Sequence, residues 1–309
     1  MLAFLFPGQG SQTVGMGKAF HDASPAARKV FEEANGALGF ELTRVMFEGP
    51  ASELALTTNT QPAVLTASVA AAAACAERGL RPALAAGHSL GEYSALVVAG
   101  ALDLRDAVRI VRKRGEFMQQ AVPVGTGAMA AVMGLALDAV EAVCRDAAQG
   151  QVVDVANVNS SAQIVIAGHK AAVERAVALA GERGGKKSVL LPVSAPFHCA
   201  LMKPAAERLA AELAHATVTD PSIPVVRNVD AGVTRAGHEV VPFLLSQVAS
   251  PVRWTECVQR LAAEGATAFI EVGPGRVLTA LTKRIADGAT ALSIEDPASL
   301  DKALAVVKA

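Results

Sequence analysis

Ala83-Leu-Ala-Ala-Gly-His-Ser-Leu-Gly-Glu-Tyr-Ser-Ala-Leu-Val-Val-Ala99 is the stretch on which the reading of this chain turns. The apolar run Ala83–Ala86 meets a G-x-S-x-G pattern, Gly87-His88-Ser89-Leu90-Gly91, and a largely apolar segment follows. That order predicts a buried strand, a sharp turn and a helix. Glycines on both sides of the serine let the backbone turn without Cβ clashes, so Ser89 Oγ projects from the tip. The helix after Ser89 aims its free N–H groups back at the turn, where a negative oxygen would be stabilised. In a chain with 26 glycines the pattern alone also fits a structural turn. Its place between strand and helix favours a nucleophilic serine.

The 309 residues, 52% hydrophobic and 18% charged, suffice for one large or two smaller domains. A net charge of −1 gives no reason to expect a nucleic-acid or membrane-surface binder. Met1–Pro7 lacks a basic flank, and its apolar run is too short for a secretion signal, so it reads as a first buried strand. Ala63–Ala76 is apolar but well short of the ~20 residues that cross a bilayer. It reads as a buried helix with Thr60 as N-cap and Pro62 in the first turn. Cys75, Cys144, Cys199 and Cys257 are far apart and form no C-x-x-C pair. A reduced, cytoplasmic protein follows as the expectation, with each cysteine a small core residue. The six histidines form no H-E-x-x-H pair, so neither a metal nor a cofactor is expected.

Strands expected at Leu2–Phe6, Ala83–Gly87, Pro224–Arg227, Thr267–Glu271 and Ala289–Ser293 alternate with helices. The helices are expected at Ser52–Leu56, Pro62–Arg78, Leu90–Ala99, Leu104–Gln120, Leu201–His215, Val252–Ala263 and Arg276–Ile285. Such alternation argues for an α/β fold with a parallel sheet covered on both faces. One segment breaks the rhythm. Gly127–Leu135, Val152–Asn157, Gln163–Ala167 and Lys187–Val193 read as strands, with helices at Asp138–Ala147 and Lys170–Arg183. The two middle strands are joined by an Asn-Ser-Ser turn. The order β-α-β-β-α-β is the ferredoxin-like split motif. Residues 126–193 are therefore expected to form a small domain inserted into a discontinuous large one, 1–125 with 194–309. Pockets favour such junctions.

A serine hydroxyl needs a base. His198, in Ser194-Ala-Pro-Phe-His-Cys199, is the best candidate, because Pro196 ends the preceding strand and leaves His198 at the domain junction; an ordinary loop histidine is the other reading. His88 adjoins Ser89, and neighbouring side chains on a sharp turn diverge, so it makes a poor base. His21, His169, His215 and His238 read as surface residues. Arg114 lies in the middle of the apolar face of Leu104–Gln120, among Ala107, Ile110, Val111, Phe117 and Met118, whereas Arg105, Arg109, Arg112 and Glu116 share the other side. A guanidinium is rarely buried without a partner. Either an unidentified Asp or Glu pairs with Arg114, or a substrate carboxylate does. The turn Pro7-Gly-Gln-Gly-Ser-Gln12 should share the C-terminal sheet edge with Ser89, and its glycines could bring a backbone N–H to an oxyanion. No Lys-Ser/Thr follows at P-loop spacing, which disfavours a phosphate loop. Phe243–Ala249 should be helical up to Ser250-Pro251, leaving unpaired carbonyls near Gln247 that could orient a histidine ring.

Together these pieces resemble the malonyl-CoA:acyl-carrier-protein transacylases, the acyltransferase family of bacterial type II fatty-acid synthesis. The matching stretches are Phe6-Pro-Gly-Gln-Gly-Ser-Gln12, Gly87-His-Ser-Leu-Gly-Glu-Tyr-Ser-Ala-Leu96 and Arg114-Gly-Glu-Phe-Met118. They continue with Ala156-Asn-Val-Asn159, Ile164-Val-Ile-Ala-Gly168 and Pro196-Phe-His-Cys-Ala-Leu-Met202, and end with Ser250-Pro-Val-Arg-Trp254 and Glu271-Val-Gly-Pro-Gly275. The resemblance implies an α/β-hydrolase-like core with a ferredoxin-like insertion. It implies Ser89 as the acyl-accepting nucleophile, His198 as general base, and the Gln247 main-chain carbonyl as holder of the His198 ring. The N–H groups of Gln9 and Leu90 would form the oxyanion hole, and Arg114 would pair with the malonyl carboxylate. Phe197 and Leu90 match the malonyl-type pattern, with Phe197 and His88 beside the substrate.

The expected activity is a ping-pong transfer of malonyl from malonyl-CoA, through malonyl-Ser89, to the phosphopantetheine thiol of an acidic acyl carrier protein, by a monomer. A serine hydrolase or thioesterase on the same scaffold is the rival; it would want an acidic triad member between serine and histidine and no arginine in the pocket. A catalytically silent interaction subunit is the third reading, and intact Ser89 and His198 argue against it. The same transfer could serve a polyketide synthase. Basic residues cluster at Arg183, Lys186 and Lys187, and at Arg276, Lys283 and Arg284; they would suit docking of an acidic carrier, or be solvated helix ends.

Overall fold

The computed structural model describes residues 1–307. Among the described residues there are ten strands: β1 Leu2–Phe6, β2 Leu84–Gly87, β3 Gly127–Met133, β4 Val153–Ser160, β5 Gln163–His169, β6 Lys187–Leu190, β7 Val225–Val226, β8 Val233–Thr234, β9 Ala268–Val272 and β10 Thr290–Ile294. They form two sheets. The larger has the order β10-β9-β1-β2-β7-β8, parallel except for the antiparallel edge strand β8. Side chains alternate along β1, so Phe4 and Phe6 enter one core and Ala3 and Leu5 the other. On the first face lie the helices Pro25–Leu38, Thr57–Glu77 and Leu104–Gln120; on the second lie Trp254–Ala263 and Val277–Ile285. Both faces being covered explains why these strands read as continuous apolar runs.

The smaller sheet has the order β4-β5-β3-β6 with every neighbouring pair antiparallel. Helices Leu137–Ala148 and Lys170–Glu182 connect its strands and bury Val140, Val143, Val173 and Ala176 against Ala130, Val132, Ile164 and Ile166. The free edge of β4 joins the rest of the chain. Val158 N–H donates to Val252 C=O at 2.9 Å, and Val252 N–H donates to Ala156 C=O at 2.9 Å. On its other edge β4 pairs with β5 as far as Ser160 opposite Gln163, which carries it past the expected end at Asn157 and shortens the turn to Ser161-Ala162.

Two other expectations need correction. The long helix begins at Thr57, so Thr60 is no N-cap and Pro62 sits in the helix interior. The cause is the preceding turn, Ala51–Leu54, to which the helix is tied: Asn59 Nδ2 donates to Glu53 C=O at 2.9 Å and Thr60 Oγ1 to Leu54 C=O at 2.6 Å. The segment expected as one helix over Leu201–His215 divides into a 3₁₀ turn, Ala200–Met202, and the helix Lys203–Leu213, because Pro204 suits a new first turn. Pro25–Leu38 was not anticipated, although its signal was present: Ser24 Oγ accepts from Ala27 N–H at 3.1 Å and proline follows at the first helical position. No helix among the described residues is long and apolar enough to cross a membrane.

Candidate active site

Three loops leave the C-terminal ends of the adjacent strands β1, β2 and β7 and converge on Ser89. In a parallel sheet this edge is where ligands bind. Close approach is possible because the crowded positions are glycine. A Cβ on Gly8 would stand 2.5 Å from the His88 carbonyl oxygen, and one on Gly91 would stand 2.0 Å from that of Phe6. The first contact presses the Gln9 loop onto the serine turn; the second seats helix Gly91–Val98 on β1. Ser89 itself has φ 51°, a left-handed conformation that non-glycine residues adopt at a cost. Asn228, just past β7, holds it there. Its Oδ1 accepts from Ser89 N–H at 2.6 Å and its Nδ2 donates to Gly87 C=O at 2.7 Å.

His198 Nδ1 faces the Gln247 main-chain carbonyl at 3.0 Å, so Nδ1 must carry the proton. That leaves Nε2 as an acceptor, 2.6 Å from Ser89 Oγ, and the serine hydroxyl donates to it. Gln247 lies in the last turn of the helix Val240–Val248, where the carbonyl lacks an i+4 helical partner; apart from His198 it is met by the N–H groups of Ala249 and, at 3.4 Å, Ser250. Burial, with the Arg114 guanidinium second, pushes the His198 imidazole down to about 3. The ring is therefore the neutral base at ordinary pH. Because the folded value lies below the ordinary 6.5, the stability this ring contributes is present above pH 6.5 and declines as pH falls from there toward about 3.

Arg114 is 2% exposed and none of the described acidic side chains forms a salt bridge with it. Nη1 donates to Gln61 Oε1 at 2.9 Å; Nη2 donates to Gln247 Oε1 at 2.9 Å and to Ser89 Oγ at 3.2 Å; Nε has no partner. The ring of Tyr93 lies 5.6 Å away. Of the two readings left open by the sequence, a directly bonded Asp or Glu is not the one realised. A permanent cation held by neutral amides in a buried site has capacity left for an anion.

These groups open on a cavity of about 320 Å³, lined by Gln9, His88, Ser89, Leu90, Arg114 and Phe197 among others. The Gln9 and Leu90 N–H groups donate to no protein acceptor among the described residues, so both are free for an oxyanion. His88 is drawn away from Ser89: its Nε2 is 3.0 Å from Asn159 Oδ1, and its ring packs 5.5 Å from Trp254. Gln61, Asn228, Glu92 and the Gln247 amide were not anticipated. Asn228 carried a signal, a polar residue directly after a parallel strand; the other three did not. Among the described residues there is no cluster of three or more His, Cys, Asp or Glu able to hold a metal.

A hydroxyl hydrogen-bonded to a neutral histidine, on the crest of a parallel α/β sheet, is the arrangement that acyl transfer through a serine requires. The chain belongs to the acyl transferase domain family, whose model matches residues 3–297. It is 52% identical over 303 residues to the malonyl CoA-acyl carrier protein transacylase of Escherichia coli strain K12, covering 98% of each chain. An acyl carrier protein S-malonyltransferase structure from Vibrio cholerae superposes with a TM-score of 0.96 at 50% identity, covering 98% of this chain and 99% of that one. A malonyl-transacylase solved in complex with its type II polyketide synthase acyl carrier protein superposes equally well, at 0.96, with 47% identity over 99% of each chain.

Proposed function

We propose that this enzyme transfers malonyl from malonyl-CoA to the phosphopantetheine thiol of an acyl carrier protein, supplying fatty-acid chain elongation. Ser89 Oγ attacks the thioester carbonyl while His198 Nε2 takes its proton. The carbonyl oxygen becomes an oxyanion, met by the N–H groups of Gln9 and Leu90. Collapse expels CoA as its thiol, the proton returning from His198. The carrier thiol then attacks malonyl-Ser89 by the same steps in reverse, regenerating the serine. Malonyl is singled out by one observation: a buried guanidinium with no carboxylate partner, 3.2 Å from the nucleophile. The site draws on one chain, consistent with a monomer, and the four buried, unpaired cysteines suit the cytoplasm. We take residues 126–193 as a ferredoxin-like unit inserted into an α/β-hydrolase-like unit, 1–125 with 194–309. A polyketide carrier is the second reading, suggested by the relative solved with such a partner; comparing transfer to the two carrier types decides between them.

Arg114→Ala separates this reading from a serine hydrolase. Leaving a carboxylate unpaired in a mostly dry pocket costs about 2–5 kcal/mol. Malonyl-CoA should therefore lose a factor of roughly 30 to several thousand in kcat/KM. Acetyl-CoA has no carboxylate to lose, and its relative use should rise. An unchanged malonyl-to-acetyl ratio on the folded variant would mean that Arg114 does not read the substrate.

For the acidic carrier we propose docking on the two basic clusters. Arg183 is already paired with Asp146 and Arg276 with Glu295, so exposed Lys186, Lys187, Lys283 and Arg284 carry the free charge. Reversing them should raise KM for the carrier and leave self-acylation by malonyl-CoA unaltered. If neither pair moves that KM, both are solvated helix ends.

A further inference from the structure

Behind Ser89 lies a layer of buried polar groups that the acyl-transfer steps do not touch. Glu92, 3% exposed, sits on the first turn of helix Gly91–Val98. Its Oε2 accepts from Asn228 N–H at 3.0 Å and from Gln247 Nε2 at 2.8 Å. The same Nε2 donates to the Ser89 carbonyl at 2.9 Å, which leaves Gln247 Oε1 to accept from Arg114 Nη2 at 2.9 Å. An amide can be turned by half a turn at little intrinsic cost. Turned here, it would set NH₂ against a guanidinium, and its oxygen against Glu92 Oε2 and the Ser89 carbonyl. Donor would face donor, and acceptor would face acceptor twice.

We propose that Glu92 is a positioning residue: it locks the Gln247 amide with its oxygen toward Arg114, and so aims the guanidinium to select a carboxylate-bearing acyl group. This rests on the malonyl-transfer reading above. Gln247 thereby joins three jobs in one residue. Its main-chain carbonyl holds the base, its Nε2 braces the nucleophile's carbonyl, and its Oε1 holds the clamp. The role needs an acceptor at Oε2, not a charge. Burial raises the Glu92 carboxyl to about 7, and a protonated carboxyl with its proton on Oε1 keeps Oε2 as an acceptor.

Adduct formation on the full chain, measured by intact mass with malonyl-CoA and acetyl-CoA separately, tests this. Glu92→Gln can place its amide oxygen where Oε2 stands, and should keep a near-native malonyl-to-acetyl ratio. Glu92→Leu cannot accept, frees the amide to turn, and should lower malonyl kcat/KM about 10- to 100-fold with a much smaller effect on acetyl-CoA. A folded Glu92→Leu protein with the native ratio, or with both substrates reduced alike, overturns the inference. So does a Glu92→Gln variant as impaired as Glu92→Leu. Should Glu92→Leu fail to fold, Gln247→Leu keeps the main-chain carbonyl and removes the amide; it too must lose malonyl selectively, and a retained preference overturns the inference. A wild-type protein that takes both acyl groups alike, or neither, instead refutes the malonyl-transfer reading, and the wild-type measurement alone reveals that.

Discussion

Ser89→Ala is expected to remove both the malonyl adduct and transfer to the carrier, a fall on the order of 10⁴-fold or more, because the other hydroxyl lining the cavity, Ser194, is bonded to Gln119 and not to the His198 base. The fold should survive. Among the described residues Ser89 Oγ hydrogen-bonds only with His198 and Arg114, and each keeps its bonds to Gln247 when the hydroxyl is gone. Alanine tolerates φ 51° about as well as serine does, so the stability change should stay within about 1 kcal/mol, or about 2–4 °C in Tm. Mass spectrometry after incubation with malonyl-CoA checks both points. An adduct persisting on the variant would place the nucleophile elsewhere and end the proposed mechanism.

His198→Ala should slow acylation by about 10²–10⁴-fold, the usual consequence of losing a general base. His88 will not substitute, since its Nε2 is held by Asn159 on the far side of the turn. The wild-type pH profile carries a second test. With His198 pushed down to about 3, the imidazole remains the unprotonated base as pH falls through 6.5. kcat/KM for self-acylation should accordingly be level from about pH 8 to about pH 5, with loss only on further acidification. A downturn centred near 6.5 would mean that His198 titrates as an exposed imidazole. An alanine variant that acylates at the wild-type rate would make His198 a loop residue only.

Much of this site was legible along the chain because its signals are local. The run Ala83–Ala86, two glycines and an apolar segment predict strand, turn and helix from backbone sterics alone, and β2 and helix Gly91–Val98 lie where that reasoning puts them. Arg114 stands out because helical periodicity needs no knowledge of the fold. Pro251 likewise stops the helix just after Gln247, at Val248, and leaves its carbonyl available. Where the expectation failed, the deciding contact came from another element. Thr57–Gln61 joined the long helix through bonds to Glu53 and Leu54. β4 ran on to Ser160 because β5 paired with it as far as Gln163.

Local chemistry was thus enough for the strand–turn–helix, for the alternation that covers a parallel sheet, and for an arginine on an apolar helix face. Backbone sterics and side-chain periodicity depend only on near neighbours. Which partner that arginine has was decided in three dimensions. Its amides arrive from Gln61, 53 residues before it, and Gln247, 133 residues after it. Nothing in the order of residues marks either side-chain amide as a partner of Arg114. The Gln247 amide is oriented only once Glu92, Asn228 and the Ser89 carbonyl surround it. Hydrogen-bond direction is a property of the assembled set of donors and acceptors, and the fold alone assembles that set.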